Sequence, residues 1–362
     1  MSASIHFAAD YADARRTFLG AAARAGLEPH SLRNENGRSP GGDALYTDVV
    51  ELGRRDAPSL LILNSATHGV EGFCGSGCQT GFLDRLDDFP LSENVRVLIL
   101  HALNPHGFAW LRRVTEENVD LNRNFVDHAA PYPPNPDYEE LAHAISPRHV
   151  GEADLRQANA TLREWRQANG ARALQEVITR GQYTHPEGIY FGGHTPTWSN
   201  RTLHEVMSEF ARSAERVALV DFHTGLGPHG YGELICEKAE NHPAYMRARR
   251  WWGESVASTV SGQSVSAQLV GTLDGGIADM LPDREVTAVA LEFGTSPSNE
   301  VFRALRLDNW LHMHGDPEGP EAANIKKEIR RVFYPDTDVW KDMVWARARE
   351  VIRQALEGLA ED

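Results

Sequence analysis

His68 and Glu71 stand three residues apart in Thr67-His68-Gly69-Val70-Glu71, which follows the apolar run Leu60-Leu61-Ile62-Leu63 where a strand should hand over to a helix. Side chains at i and i+3 on one helical turn share a side, and an imidazole and a carboxylate are both ligands that catalytic zinc accepts. Alone, such a pair is more often a solvated helix face. Three further segments give it weight: Asp120-Leu121-Asn122-Arg123-Asn124-Phe125, Asp221-Phe222-His223-Thr224-Gly225 and Leu291-Glu292-Phe293-Gly294. Each sets polar or charged groups beside an apolar, strand-like run. The acid directly after Val289-Ala290-Leu291 needs a partner or a task, because burying a lone carboxylate is costly.

Other chemistries find less support. Gly225-Leu226-Gly227-Pro228-His229-Gly230 satisfies G-x-G-x-x-G after a strand and offers an NAD-dependent oxidoreductase as the rival class. That fingerprint needs a helix opening on its third glycine, whereas Tyr231-Gly232-Glu233-Leu234-Ile235-Cys236 reads as extended. No G-x-S-x-G elbow exists for a serine hydrolase, and His204-Glu205 lacks the second histidine of a zincin helix. Cys74, Cys78 and Cys236 match neither a zinc pattern nor a disulfide framework and read as small buried residues.

The elements that must position the candidate residues follow from periodicity. Short apolar runs predict strands at 44–52, 59–64, 94–102, 216–222 and 287–293, with a further short strand at 264–270. Helices are expected at the N-terminus, at 72–86, at 242–259 and, near the C-terminus, at 318–332 and 338–359. Strand, helix, strand implies parallel pairing. The stretch 131–200 opens on Pro131, Pro133, Pro134 and Pro136, continues through polar helical segments and ends in an aromatic, glycine-rich passage. It reads as an insertion over one edge of the sheet. The expected architecture is a single compact α/β domain over 1–362, with a mixed, mostly parallel twisted sheet flanked by helices. In open sheets of this kind ligands bind at the carboxyl ends of the strands, where His68, His223 and Glu292 all fall.

Composition narrows the function classes. The formal charge of −15, from 36 basic and 51 acidic residues, is the wrong sign for nucleic acid or an anionic membrane surface. No run approaches the ~18 apolar residues of a membrane span. The first residues read as an amphipathic helix, not a signal peptide, so a cytoplasmic location is expected.

Taken in order, His-x-x-Glu at 68–71, Asp-x-Asn-Arg-Asn at 120–124, a histidine at a strand end and a late glutamate resemble the zinc carboxypeptidase family, including its deacylase relatives that cleave N-acyl amino acids. Val119 to Phe125 is the most specific match, the similarity runs over about 43–295, and the overall sequence is closer to an uncharacterised bacterial branch than to the digestive enzymes. The resemblance implies a zinc carboxypeptidase-like fold and His68, Glu71 and His223 as ligands of Zn²⁺, with water in the fourth position. It implies Glu292 as general base and Asp120 as the carboxylate that fixes the His68 tautomer. Asn122 and Arg123 would hold the free carboxylate of a small peptide or N-acyl amino acid. An arginine should stabilise the oxyanion, Arg113 being preferred to Arg112. The family's substrate-covering tyrosine has no clear counterpart: Tyr231 and Tyr245 lie in the right interval, and Tyr190 is an equal candidate. Carboxypeptidase and deacylase share all these parts, so both activities stay open.

Overall fold

The computed structural model describes residues 2–361. Eight strands, β1 (His30–Arg38), β2 (Ala44–Leu52), β3 (Ser59–Asn64), β4 (Val95–His101), β5 (Arg216–His229), β6 (Gly232–Cys236), β7 (Val256–Ser258) and β8 (Glu285–Gly294), form a mixed sheet in the order β1-β2-β4-β3-β5-β8-β6-β7. The central strands β4, β3, β5 and β8 run parallel, while β2 joins β4 and β6 joins β8 in antiparallel fashion. Every residue of β3 and β4 is buried, as expected where helices cover both faces.

Among the described residues twelve α-helices surround the sheet: α1 (Tyr11–Arg24), α2 (Gly72–Asp84), α3 (Pro105–Ala109), α4 (Pro136–Ile145), α5 (Glu152–Asn169), α6 (Ala171–Thr179), α7 (Trp198–Phe210), α8 (Pro243–Trp252), α9 (Leu273–Met280), α10 (Ser298–Met313), α11 (Ala322–Phe333) and α12 (Asp338–Glu361). The period-2 alternation of a strand divides the core. Leu61 and Leu63 of β3 pack with α1, α2, α8 and α12, whereas Leu60 and Ile62 pack with α7 and α9. A third cluster joins α4, α5 and α6 to α10 and α11. No helix among the described residues is long and apolar enough to cross a membrane.

The sheet is mixed as the sequence predicts, with several departures among the elements. The helix expected over 242–259 stops at Trp252, because Gly253 takes φ +72° and ends the turn, after which Val256–Ser258 pairs with β6 as an edge strand. Residues 264–270 form no strand. Strand β1, with the polar sequence His30-Ser31-Leu32-Arg33-Asn34-Glu35-Asn36-Gly37-Arg38, and helices α3, α7, α9 and α10 all appear where no element was expected.

Candidate metal centre

Register does the first part of the assembly. His223 on β5 lies opposite Glu292 on β8, and Asn64 at the end of β3 lies opposite Asp221 on β5. Beyond β3 the chain bends into a single 3-10 turn, Gly69–Glu71, with His68 at its N-terminal boundary. The expected helical i,i+3 geometry is thus met in that turn, ahead of α2. Gly69 is required there: a Cβ would overlap the carbonyl carbon of Gly107, which crosses directly above.

His68, Glu71 and His223 are buried and converge, with one candidate ligand atom from each lying within 4.8 Å of the others. Glu71 Oε1 is 3.0 Å from His68 Nδ1, and Oε2 is 3.1 Å from His223 Nδ1. The two Nδ1 atoms are 3.2 Å apart. Each far nitrogen meets a carboxylate: His68 Nε2 lies 3.2 Å from Asp120 Oδ1, and His223 Nε2 lies 2.6 Å from Asp221 Oδ2. Those contacts favour tautomers with the proton on Nε2 and a free lone pair on Nδ1 aimed at the common point. Two imidazole nitrogens and one carboxylate, each ring buttressed from behind, fit a divalent ion of the zinc type.

Asp221 is the functional candidate missed by motif reading. It sits two residues before His223 and therefore on the same side of the strand, which is the one signal the sequence offered. Its carboxylate is itself oriented by Thr67 Oγ1 at 2.9 and 2.8 Å and by Asn64 Nδ2 at 2.7 Å.

The charges in the centre are interdependent. Burial alone would raise Glu71, but His68 and His223 hold it below the usual carboxylate range. Burial opposes the charged form of His223, yet Asp221 and Glu71 push its pKa well above that of a free histidine. Asp120, although buried, is held far below its ordinary value by Arg113, Arg123 and His68. Glu292 goes the other way: burial, then the charge of Glu71, lift it to about 8. One Glu292 oxygen accepts from Leu226 N at 2.9 Å. Two carboxyls lining one cleft are thus pushed in opposite directions by their surroundings.

The remaining predicted residues are sorted by the geometry. Arg113 lines the cleft and donates to Asp120 Oδ2 at 2.8 Å and Glu71 Oε1 at 3.0 Å. Arg112 points away into the core, bonded to Asp308 Oδ2 at 3.2 Å and Asn118 Oδ1 at 2.8 Å. Arg123 borders the cleft, but its Nε and Nη2 bond to Thr179 O at 3.0 and 2.5 Å and its Nη1 to Asn122 O at 2.7 Å. Two of its five N–H groups stay available. Asn122 uses Oδ1 to cap the Leu273 N–H at 2.8 Å. Tyr190 also lines the cleft, its ring 5.3 Å from the Arg113 guanidinium and 5.6 Å from that of Arg123. Tyr231 is exposed and Tyr245 is buried with its hydroxyl on Val256 O, so neither reaches the cleft. His101, His106, His185, His194 and His229 lie outside the cleft lining. Glu237, which follows β6, and Asp274 of α9 also line the cleft; burial and Asp274 raise the Glu237 carboxyl well above its usual range. Nothing in their sequence surroundings marked them.

Gly225–Gly230 belongs to the outer, bulged part of β5 and leads straight into β6, so no helix N-terminus awaits a pyrophosphate. The three cysteines are free and buried.

Sheet and centre together define a mixed α/β protein carrying a His-Glu-His candidate metal site. The chain belongs to the family described as "Protein of unknown function (DUF2817)", which it matches over residues 7–347. Among solved structures it is similar to bovine thrombin-activatable fibrinolysis inhibitor, at 12% identity over 95% of this chain and 98% of that one, TM-score 0.47. It is also similar to carboxypeptidase A from Helicoverpa armigera, at 11% identity over 94% and 73%, TM-score 0.46. A third such structure is the succinylglutamate desuccinylase of Chromobacterium violaceum, at 16% identity over 84% and 74%, TM-score 0.38. Among curated sequences it matches the alpha-hemolysin translocation ATP-binding protein HlyB of Proteus vulgaris, 27% identical over 181 residues, 46% of this chain and 26% of that protein. The chain spans about a quarter of the length of the curated relatives it matches.

Proposed function

We propose that this protein is a zinc-dependent hydrolase that cleaves an amide bond adjacent to a free carboxylate in a small peptide or an N-acyl amino acid. The observation that carries the reading is the convergence of His68, Glu71 and His223 opposite a protonatable Glu292 on the neighbouring strand. A divalent cation held by those three side chains would polarise a carbonyl and lower the pKa of a water towards ~7. Glu292 takes a proton from the attacking water and passes it to the leaving nitrogen. Arg113, kept charged by Asp120 and Glu71 against the effect of burial, donates to the oxygen on which charge develops. Asn122 and the two free N–H groups of Arg123 orient the substrate carboxylate, and Tyr190 walls the pocket above them. In this reading the chain works as one domain in the cytoplasm, and residues 131–200 act as an insertion that closes one side of the cleft. A carboxypeptidase and a deacylase would use the same groups and differ in what the cleft accepts upstream.

The ATP-binding role of the proteins HlyB and PaxB has no counterpart in this sequence. A phosphate-binding loop needs Gly-Lys-Ser or Gly-Lys-Thr, and none of the four lysines, Lys238, Lys326, Lys327 and Lys341, follows a glycine.

Elemental analysis beside a panel of short peptides and N-acyl amino acids tests the proposal. About one zinc per chain is expected and should be lost in His68→Ala. Glu292→Gln should retain the metal and lose activity by roughly 10²- to 10⁴-fold. Wild-type turnover by that variant would refute the assignment of the base.

A further inference from the structure

A second groove opens from the candidate active-site cleft, sharing Gln175, Thr179, Tyr190 and Leu226 with it. Helices α5, α6 and α10 build its walls and supply Arg156, Arg163, Arg166, Arg172, Arg303 and Arg306, against one lining carboxylate, Glu152. In a chain of net charge −15 this concentration of cations is the reverse of the average surface. Arg156 pairs with Glu152 and Arg172 with Glu176. The exposed Arg163, Arg166 and Arg303 have no ion pair among the described residues.

Arg306 is the informative member. It is only 3% exposed, yet its partners are neutral: Nη1 donates to Asn159 Oδ1 at 2.7 Å and Nη2 to Ala144 O at 2.8 Å, and Nε has no partner. Its face lies 5.2 Å from the Phe302 ring. Burial pushes it down to about 10 with no carboxylate opposing the shift. A guanidinium drawn out of water without a counter-charge is unfavourable, and the shortfall is met when an anion enters the groove.

We propose that this groove binds the acidic segment of a peptide substrate upstream of the scissile bond. The inference rests on the hydrolase reading for its direction: if Asn122 and Arg123 hold the terminal carboxylate, whatever reaches the groove past Tyr190 lies on the amino-terminal side. Arg306 supplies the buried anchor, and Arg163, Arg166 and Arg303 the steering field at the rim.

The test uses the full chain carrying Glu292→Gln and a fluorescent peptide of four glutamates before a neutral C-terminal residue, compared with its glutamine counterpart. The acidic peptide is expected to bind at least about tenfold more tightly at low ionic strength, and to lose most of that advantage at about 0.5 M salt. The preference should collapse in Arg163→Glu combined with Arg303→Glu, and shrink in Arg306→Gln. Equal affinity for the two peptides, a preference unmoved by these variants, or equally tight binding of a single-stranded oligonucleotide would overturn the proposal. Wild-type enzyme separates the two readings. An acidic peptide bound but never cleaved leaves the groove assignment standing and removes the hydrolase, whereas cleavage of both peptides with equal kcat/KM does the opposite.

Discussion

Asp221 and His223 leave β5 on one face, and the 2.6 Å contact between them is the shortest among the groups that orient the candidate ligands. A carboxylate behind a ligating imidazole fixes the ring and raises its basicity, so Asp221→Asn should weaken zinc affinity by roughly 10- to 100-fold while the far-ultraviolet circular dichroism stays unchanged. Competition against a chromophoric chelator measures this; unaltered affinity would remove Asp221 from the centre. The same assay carries a pH sign. Because His223 is pushed well above the ordinary histidine value in the metal-free centre, the ion must displace a proton there, and apparent affinity should climb as pH rises through neutrality. The two adjacent arginines separate cleanly at this scale. Arg113→Gln should lower kcat/KM by on the order of 10² and, by unpairing the buried Asp120, also cost stability, whereas Arg112→Gln should cost stability and leave kcat/KM near the wild-type value. Resemblance to the motifs of the zinc carboxypeptidase family is what singled out His68, Glu71, His223, Glu292 and Asp120 as candidates in the sequence. It could not choose between Arg112 and Arg113, since neighbouring residues diverge only once the backbone is placed, and it was blind to Glu237 and Asp274, which reach the cleft from elements with no motif of their own.

Between elements, the turn that bears His68 and Glu71 is held from behind. Gly69 N and Val70 N donate to the carbonyls of Arg113 and Arg112 at 3.1 and 2.8 Å. The Arg112 side chain ties that segment to α10 through Asp308, which also accepts from Lys326 of α11 at 2.5 Å. Asp308 and Arg112 are buried, at 3% and 2% exposure. Removing one partner strands the other charge in the core, so Asp308→Asn should destabilise the chain by about 3–5 kcal/mol, read as a lower urea midpoint at unchanged m. A loss within ~0.5 kcal/mol would show that water reaches this network. Helix α10 escaped sequence reading although it carries this link, because its buried face includes Arg306, Asp308 and Asn309, which interrupt the apolar stripe. Strand β1 escaped for a different reason: it is a polar edge strand pairing on one side only, so burial imposes little pattern on it. The interior strands β3 and β4, wrapped on both faces, left the strongest trace.

At the scale of the whole molecule, acid stability depends on opposing sets of buried groups. His101 is fully buried, stacked on Phe18 at 4.3 Å, with Nε2 2.9 Å from Ser76 Oγ. Burial lowers it to about 4, whereas in the unfolded chain it protonates near ~6.5. The unfolded state therefore binds the extra proton first. The contribution of His101 is complete above ~6.5 and is lost as pH falls towards about 4, at about 1.4 kcal/mol per pH unit. Glu292 works in the other direction, since a carboxyl raised to about 8 is protonated in the folded metal-free chain and ionised in the unfolded one down to ~4.3. Its contribution is present at low pH and lost as pH rises through 8. The two slopes partly cancel between ~4.3 and ~6.5, which makes the total curve of the wild type a poor witness to either group. A difference isolates one of them. His101→Gln should be less stable than wild type at pH 7, and the gap should close by about 1.4 kcal/mol per unit between pH ~6.5 and ~4.5. Urea unfolding at several pH values measures it, and a gap that stays constant across that range would mean that His101 is already charged inside the fold.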